Sequence, residues 1–138
     1  MANFNIGARE AVIASFARTP IGKAYRGAFN DTGAPALAGA AIAAAVERAG
    51  IDGAEVDDCV MGCAMPQGSS GLNIGRSGAL AAGLPVSVSG MTLDRQCSSG
   101  MMAIATAAKQ IVADGMTTVV GGGVESISLV QNEHQNTH

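Results

Sequence analysis

Val86-Ser87-Val88-Ser89-Gly90-Met91-Thr92-Leu93-Asp94-Arg95-Gln96-Cys97-Ser98-Ser99-Gly100 decides how the rest of the chain is read. Val86 to Leu93 has the short apolar composition of a strand. Beyond Gly100, residues Met101, Ile104, Ala105, Ala108, Ile111 and Val112 recur at the three- and four-residue spacing of one helix face. Cys97 therefore falls at a strand-to-helix turn, on or just before the first helical residue. Backbone N–H groups at a helix start lack partners inside the helix, and the helix dipole is positive there. Both favour the thiolate, the nucleophilic form of cysteine. The same N–H groups can hold an oxyanion formed by attack on a carbonyl. Ser98, Ser99 and Gly100 are small, and leave room for an acyl group and close backbone approach. Most free cysteines simply pack in a core; the elbow position sets Cys97 apart from that ordinary role.

Working outward, the following segment carries few polar residues in its interior: Thr106, Lys109 and Gln110. A helix apolar nearly all round is expected between layers rather than on a surface. Asp114-Gly115 ends it. Thr117 to Val124 reads as a further strand. Its Gly121-Gly122-Gly123 run is not a phosphate loop, because no helix start follows at the right spacing. Close backbone packing beside the Cys97 turn is the better account. After Ser126 the pattern stops, and Gln131 to His138 is polar.

Toward the N-terminus, Asn73 to Ala82 reads as a helix stopped by Gly83-Leu84-Pro85, and Pro66 to Gly71 as a turn. Cys59 to Ala64 is a buried strand led in by Asp57-Asp58, with Cys59 and Cys63 on one face. Two cysteines are too few ligands for zinc, so no metal site is expected. Pro35 to Ala49 is an Ala-rich helix with Thr32 or Gly33 as cap, Pro35 in its first turn and Gly50 at its end. Its only charges, Glu47 and Arg48, come last, so most of its faces are expected to be buried. Ile21 to Gly33 reads as ordered loop, with Lys23 and Arg26 as solvated loop charges. Glu10 to Phe16 reads as another buried strand, which brings the strand total to four. Alternating strands and helices with short links predict an α/β fold with a parallel sheet. Ligands of such sheets bind beyond the carboxyl ends of strands, where Cys97 lies.

Composition narrows the function classes. The 138 residues suffice for one domain with a core, 48% are hydrophobic and 14% charged, and the net charge is −3. No basic block supports nucleic-acid binding. No apolar run reaches the roughly 20 residues that span a bilayer, and Met1 to Arg9 lacks the apolar stretch of a signal peptide. Three cysteines, an odd number, do not suggest a disulfide framework, so a reducing cytoplasm is the expected location. So apolar a chain is expected to associate with another copy or a complementary chain, or to aggregate.

Asp94-Arg95-Gln96-Cys97-Ser98-Ser99-Gly100 resembles the nucleophile motif of the thiolases, the acetyl-CoA acetyltransferases and 3-ketoacyl-CoA thiolases. Arg18-Thr19-Pro20-Ile21-Gly22 resembles that family's N-terminal signature. Gly122-Gly123-Val124-Glu125-Ser126-Ile127-Ser128 resembles its Gly-Gly-x-Glu-Ser-x-Ser segment. The resemblance implies part of a layered αβαβα fold with a mostly parallel sheet. It implies a ping-pong acyl transfer of fatty-acid metabolism, with Cys97 as nucleophile and acyl carrier and its own N–H in an oxyanion hole. Gln96, Ser98, Ser99 and Gly100 would support it. Substrates would be coenzyme A thioesters, with no resident cofactor, and the complete protein would be a homodimer or homotetramer. The family's activating histidine and second cysteine belong to a later part than this chain resembles. Residues 1–138 are thus expected to be an incomplete N-terminal thiolase domain, without the loop and C-terminal domains and inactive alone. His134 and His138, in the polar tail, are poorly placed to replace the histidine. Two other readings stay open: a ketoacyl-synthase-type condensing enzyme, and a non-catalytic fragment or interaction module. Arg95-Gln96 and Arg18 to Gly22 favour thiolase over the first.

Overall fold

The structure, a computed structural model, describes residues 9–133. Most of the Met1 to Arg9 stretch, and both His134 and His138, lie outside the described residues.

Strand β1 (Asp58–Gly62) is buried along its whole length and forms the centre of a three-stranded sheet. Strand β2 (Ser89–Leu93) pairs on one side, from Asp58↔Ser89 to Gly62↔Leu93. Strand β3 (Val119–Gly123) pairs on the other, from Asp58↔Val119 to Gly62↔Gly123. Both pairings are parallel, as the alternating pattern predicted. All three carboxyl ends therefore meet at one edge, and the Cys97 turn leaves from that edge.

Alternation along β1 sends its residues to two different faces. Cys59, Met61 and, just past the strand, Cys63 join a core with Ala38 and Ile42 of helix α1 (Ala34–Ala49) and Ile74 and Ala79 of helix α2 (Ile74–Ala81). Glycines draw these helices close. A Cβ on Gly39 would lie 2.8 Å from Ala81, and one on Gly78 3.0 Å from Ala38. Helix α1 opens on Gly33 as N-cap with Pro35 in its first turn, and ends on Gly50 with φ 68°. That left-handed C-cap is where glycine carries no Cβ penalty. Only Ala34, Ala38, Gly39 and Ile42 of α1 are fully buried, a narrower stripe than its apolar composition predicted. Asn73 caps α2 by accepting the Arg76 N–H at 3.0 Å.

The opposite sheet face carries Val60, Gly62, Gly121 and Gly123, and receives helix α3 (Ser99–Ala113). Here the expected stripe is corrected. Ser99, Ala103 and Ala107 face the sheet and are buried, whereas Met101 and Ile104 point outward and are 75% and 49% exposed. The reason is steric. A Cβ on Gly121 would stand 2.9 Å from the Ile104 Cα, so the helix lies on the glycines and only small side chains fit beneath it. The larger apolar residues are displaced to the outer face, where among the described residues they stay exposed. Near its end, Gln110 Nε2 donates to the buried Asp58 carboxylate at 2.7 Å.

Three further expectations change. Glu10 to Phe16 is not a strand: it runs beside the body without a ladder partner, and Val12, Ile13 and Phe16 are 78–81% exposed. An apolar run becomes a strand only where a sheet edge receives it, and here the described sheet has three strands, not four. The stretch before β2 is a turn closed by Val88 N–H donating to Pro85 O at 3.1 Å, so the strand starts at Ser89 rather than Val86. After Ser126 the chain makes a one-turn helix, α4 (Ile127–Val130), with Val130 buried. The Ile21 to Gly33 loop is ordered, as predicted, and α4 is what holds it: Tyr25 N–H donates to Ser128 Oγ at 2.9 Å and Tyr25 O–H to Gln131 O at 2.7 Å.

Candidate functional site

Cys97 lies between the carboxyl end of β2 and the start of α3, with Ser98 as the helix N-cap. It stands two residues before the first helical residue, at the outer limit of the predicted position. It is exposed, whereas Cys59 and Cys63 are buried; all three are free thiols. Burial pushes the Cys59 thiol up to about 12, with the neighbouring Asp58 charge adding to it. Burial likewise pushes Cys63 up to about 11, helped by the Glu125 carboxylate. Neither can supply much thiolate near neutral pH.

The turn around Cys97 is held by its own residues. Asp94 Oδ1 accepts the Gln96 N–H at 2.7 Å, an Asx turn. Gln96 then adopts φ 51°, a left-handed conformation that non-glycine residues rarely take. Ser98 N–H donates to Arg95 O at 3.1 Å, and Ser99 N–H to Gln96 O at 3.0 Å. Two of the helix-start donors expected to be free are thus engaged by the turn itself. Ser98 is exposed and its hydroxyl makes no cap bond. Ser99 is buried, its hydroxyl accepting from Arg95 N–H at 2.8 Å and donating to Gln96 O at 2.6 Å. Gly100 rests on β3, where a Cβ on Gly123 would lie 2.8 Å from the Gly100 Cα.

Sequence reasoning singled out Cys97, Gln96, Ser98, Ser99 and Gly100 as neighbours along the chain. It missed the part played by Asp94, whose place two residues before Gln96 was the available signal. It also missed Glu125. That carboxylate leaves the end of β3 and accepts the Ala64 N–H, with its other oxygen 3.8 Å from the Cys63 sulfur. It ties together the exits of β1 and β3.

Two of the three motifs share a pocket. A cavity of about 490 Å³ is lined by Arg18 to Ala24, residues of α1, and Gly123 to Ser128. Two motifs meet there, and Lys23 lies on its wall; Cys97 is not among its lining residues. The cysteine turn is exposed at the same sheet edge.

The description "Thiolase, N-terminal domain" matches residues 11–138. The chain belongs to the thiolase family. It is 41% identical over 122 residues to a 3-ketoacyl-CoA thiolase of Bacillus subtilis, covering 88% of this chain and 31% of that protein. It is 42% identical over 118 residues to an acetyl-CoA acetyltransferase of Rhizobium meliloti, covering 86% and 30%. It is 43% identical over 121 residues to a β-ketoadipyl-CoA thiolase of Pseudomonas aeruginosa, covering 87% and 30%. The crystal structure of the Bacillus anthracis acetyl-CoA acetyltransferase superposes with a TM-score of 0.81 at 41% identity, over 87% of this chain and 30% of that one. The thiolase chain described here therefore spans about 30% of the length of the relatives it matches, and its layered α/β fold is theirs. Among the described residues, no helix is long and apolar enough to cross a membrane.

Proposed function

We propose that this chain carries the nucleophile half of a thiolase-type acyl-CoA acyltransfer, with Cys97 as the acyl acceptor. The observation that carries the reading is the exposure of Cys97 in a shaped turn at the carboxyl edge of the sheet, while the other two thiols are buried and protonated. Its thiolate would attack the carbonyl carbon of an acyl-CoA. The tetrahedral oxyanion would collapse with loss of the coenzyme A thiolate, leaving a thioester on the Cys97 sulfur. The Cys97 N–H would serve the oxyanion, with Gln96, Ser98, Ser99 and Gly100 shaping the surround. In condensation, the α-carbanion of acetyl-CoA would then attack the Cys97 thioester, forming 3-ketoacyl-CoA and freeing the sulfur; thiolysis is the reverse. Proton transfer in that second half-reaction needs a positioned base. Neither histidine of the chain, His134 or His138, lies among the described residues, and the chain alone is expected to take up an acyl group but not to turn over.

The relatives' names range over 3-ketoacyl-, acetyl- and β-ketoadipyl-CoA, so the substrate is placed at coenzyme A thioesters as a class. A place in fatty-acid metabolism, cytoplasmic location and a homo-oligomeric complete protein belong to the same proposal. The outward Met101 and Ile104, 75% and 49% exposed among the described residues, favour a second reading: a fold module that works only when another chain covers that face.

The test is to incubate the full chain with radiolabelled acetyl-CoA and map the label. Label is expected on the peptide holding Cys97 and should vanish in Cys97→Ala. Iodoacetamide under native conditions should modify Cys97 first, with Cys59 and Cys63 reacting only after unfolding. Absence of label, or label that survives Cys97→Ala, removes the acyl-acceptor role and leaves the fold-module reading.

A further inference from the structure

We propose that Ser99 is the positioning residue of the Cys97 turn, working from a seat formed by Gly62 and Gly123. The inference rests on the reading of Cys97 as acyl acceptor, but the geometry that suggests it does not involve the sulfur. Ser99 is held from below by the sheet: a Cβ on Gly62 would fall 2.2 Å from the Ser99 carbonyl carbon and 2.5 Å from Gly100 N. Backbone meets backbone there, so the first turn of α3 cannot sink or slide without moving two strands. Those strand ends are themselves joined, with Val124 N–H donating to Gly62 O at 3.0 Å.

From that fixed point the Ser99 hydroxyl reaches upward. It takes the Arg95 N–H at 2.8 Å and gives its proton to Gln96 O at 2.6 Å. The partners are the two residues before Cys97, and Ser99 is the second residue after it, so one hydroxyl closes the loop in which the cysteine is displayed. Ser99 is 3% exposed. Water has little access to replace either bond, and removing the hydroxyl leaves the turn held by backbone bonds and Asp94 alone. Gln96, at φ 51°, is the residue most in need of such restraint. The line of support runs from the sheet through Gly62 to Ser99, then to Arg95 and Gln96, and ends at Cys97. Ser99 touches no reacting atom; it sets where the Cys97 sulfur and N–H point. An acyl transfer depends on that aim, because sulfur and oxyanion donor must meet one carbonyl together. Alkylation at a saturated carbon develops no oxyanion and depends on the aim far less.

Ser99→Ala in the full chain tests this with two measurements. By amide hydrogen exchange, the Arg95 N–H should lose protection about tenfold or more, while Ala107 in the middle of α3 keeps its own. Acetylation of Cys97 by acetyl-CoA should slow about tenfold or more, while iodoacetamide alkylation of the same thiol stays within about twofold. Unchanged Arg95 exchange overturns the proposal, as does a parallel fall in acetylation and alkylation. If Ala107 also loses protection, Ser99→Thr, which keeps the hydroxyl, decides. Arg95 protected in that variant supports the pin, and Arg95 unprotected there overturns it. Should the parent chain take no acetyl group, the acyl-acceptor reading fails, and Arg95 exchange still decides whether Ser99 holds the turn.

Discussion

Asp58 to Cys63 and Glu10 to Phe16 look alike on paper: each is a short apolar run bounded by polar or turn-forming residues. In the fold they part completely. The first is the central strand, buried at every position and paired on both sides. The second has no ladder partner, and three of its large apolar residues face solvent. Hydrophobicity thus marks a segment that can be buried. Burial itself needs neighbours that leave a slot, and around β1 glycines provide the closest approaches. Gly62, Gly121 and Gly123 let α3 lie on the sheet, and at the start of α2 a Cβ on Gly75 would stand 2.3 Å from Met91 O and 2.5 Å from Cys59 O. Among the described residues no strand pairs with residues 10–16.

The sharpest way to break this comparison is to fill the slot. Gly62→Ala places a methyl group against the Ser99 backbone, where no flexible side chain can give way. A loss of about 3 kcal/mol or more is expected, read as a shifted urea midpoint. A midpoint equal to the parent's would mean that α3 moves freely and that the seat is loose.

Truncating one apolar residue in each segment comes next. Val60→Ala, at a fully buried position, should cost about 2 kcal/mol. Ile13→Ala, at an 80% exposed one, should stay within about 0.5 kcal/mol. Equal losses would show that residues 10–16 are packed in solution, and the contrast between the two runs would disappear.

The smallest effect concerns how β1 is anchored. Asp57 Oδ2 accepts Thr117 N–H at 2.7 Å and Thr118 N–H at 3.2 Å, joining the entries of β1 and β3. The Thr117 backbone bond, then the Thr118 bond and the Thr117 hydroxyl, hold the Asp57 carboxyl below its ordinary value, and the Arg9 charge assists. A depressed folded value means stability that is present above the unfolded value of about 3.9 and lost as pH falls through the folded one. Parent stability should therefore drop below about pH 4 more steeply than that of Asp57→Asn. The difference is modest because Asp57 is exposed. Identical acid profiles would mean the anchor contributes nothing at β1, and would leave it no better tied than residues 10–16, where Phe16 O accepts from Arg48 Nη1 at 2.9 Å.

Much of the fold was legible because its signals are local. Gly50 stops α1, Asn73 opens α2 and Gly115 follows α3, each through backbone preferences of one or two residues. The placing of Cys97 at a strand-to-helix turn followed from the change in period from strand to helix around it. Helix facing in α3 was not legible. Its period was read correctly, but Met101 and Ile104 were assigned to the packed side because they are the larger apolar residues. The sheet instead selects Ala103 and Ala107, since glycines on β3 leave no height for more.

By itself, the sequence determined the alternation of strands and helices from Ala34 to Gly123, the parallel sheet, the family, and the cysteine that stands at the carboxyl edge. These follow from composition, spacing and turn chemistry within a few residues. Tertiary structure decided which apolar run became a strand, which face of α3 met the sheet, and that Ser99 and Asp94 shape the Cys97 turn. It also placed Glu125 across the exits of β1 and β3. Each of these depends on the space left between segments distant in the chain, and a clash or a free edge exists only once both sides are in place.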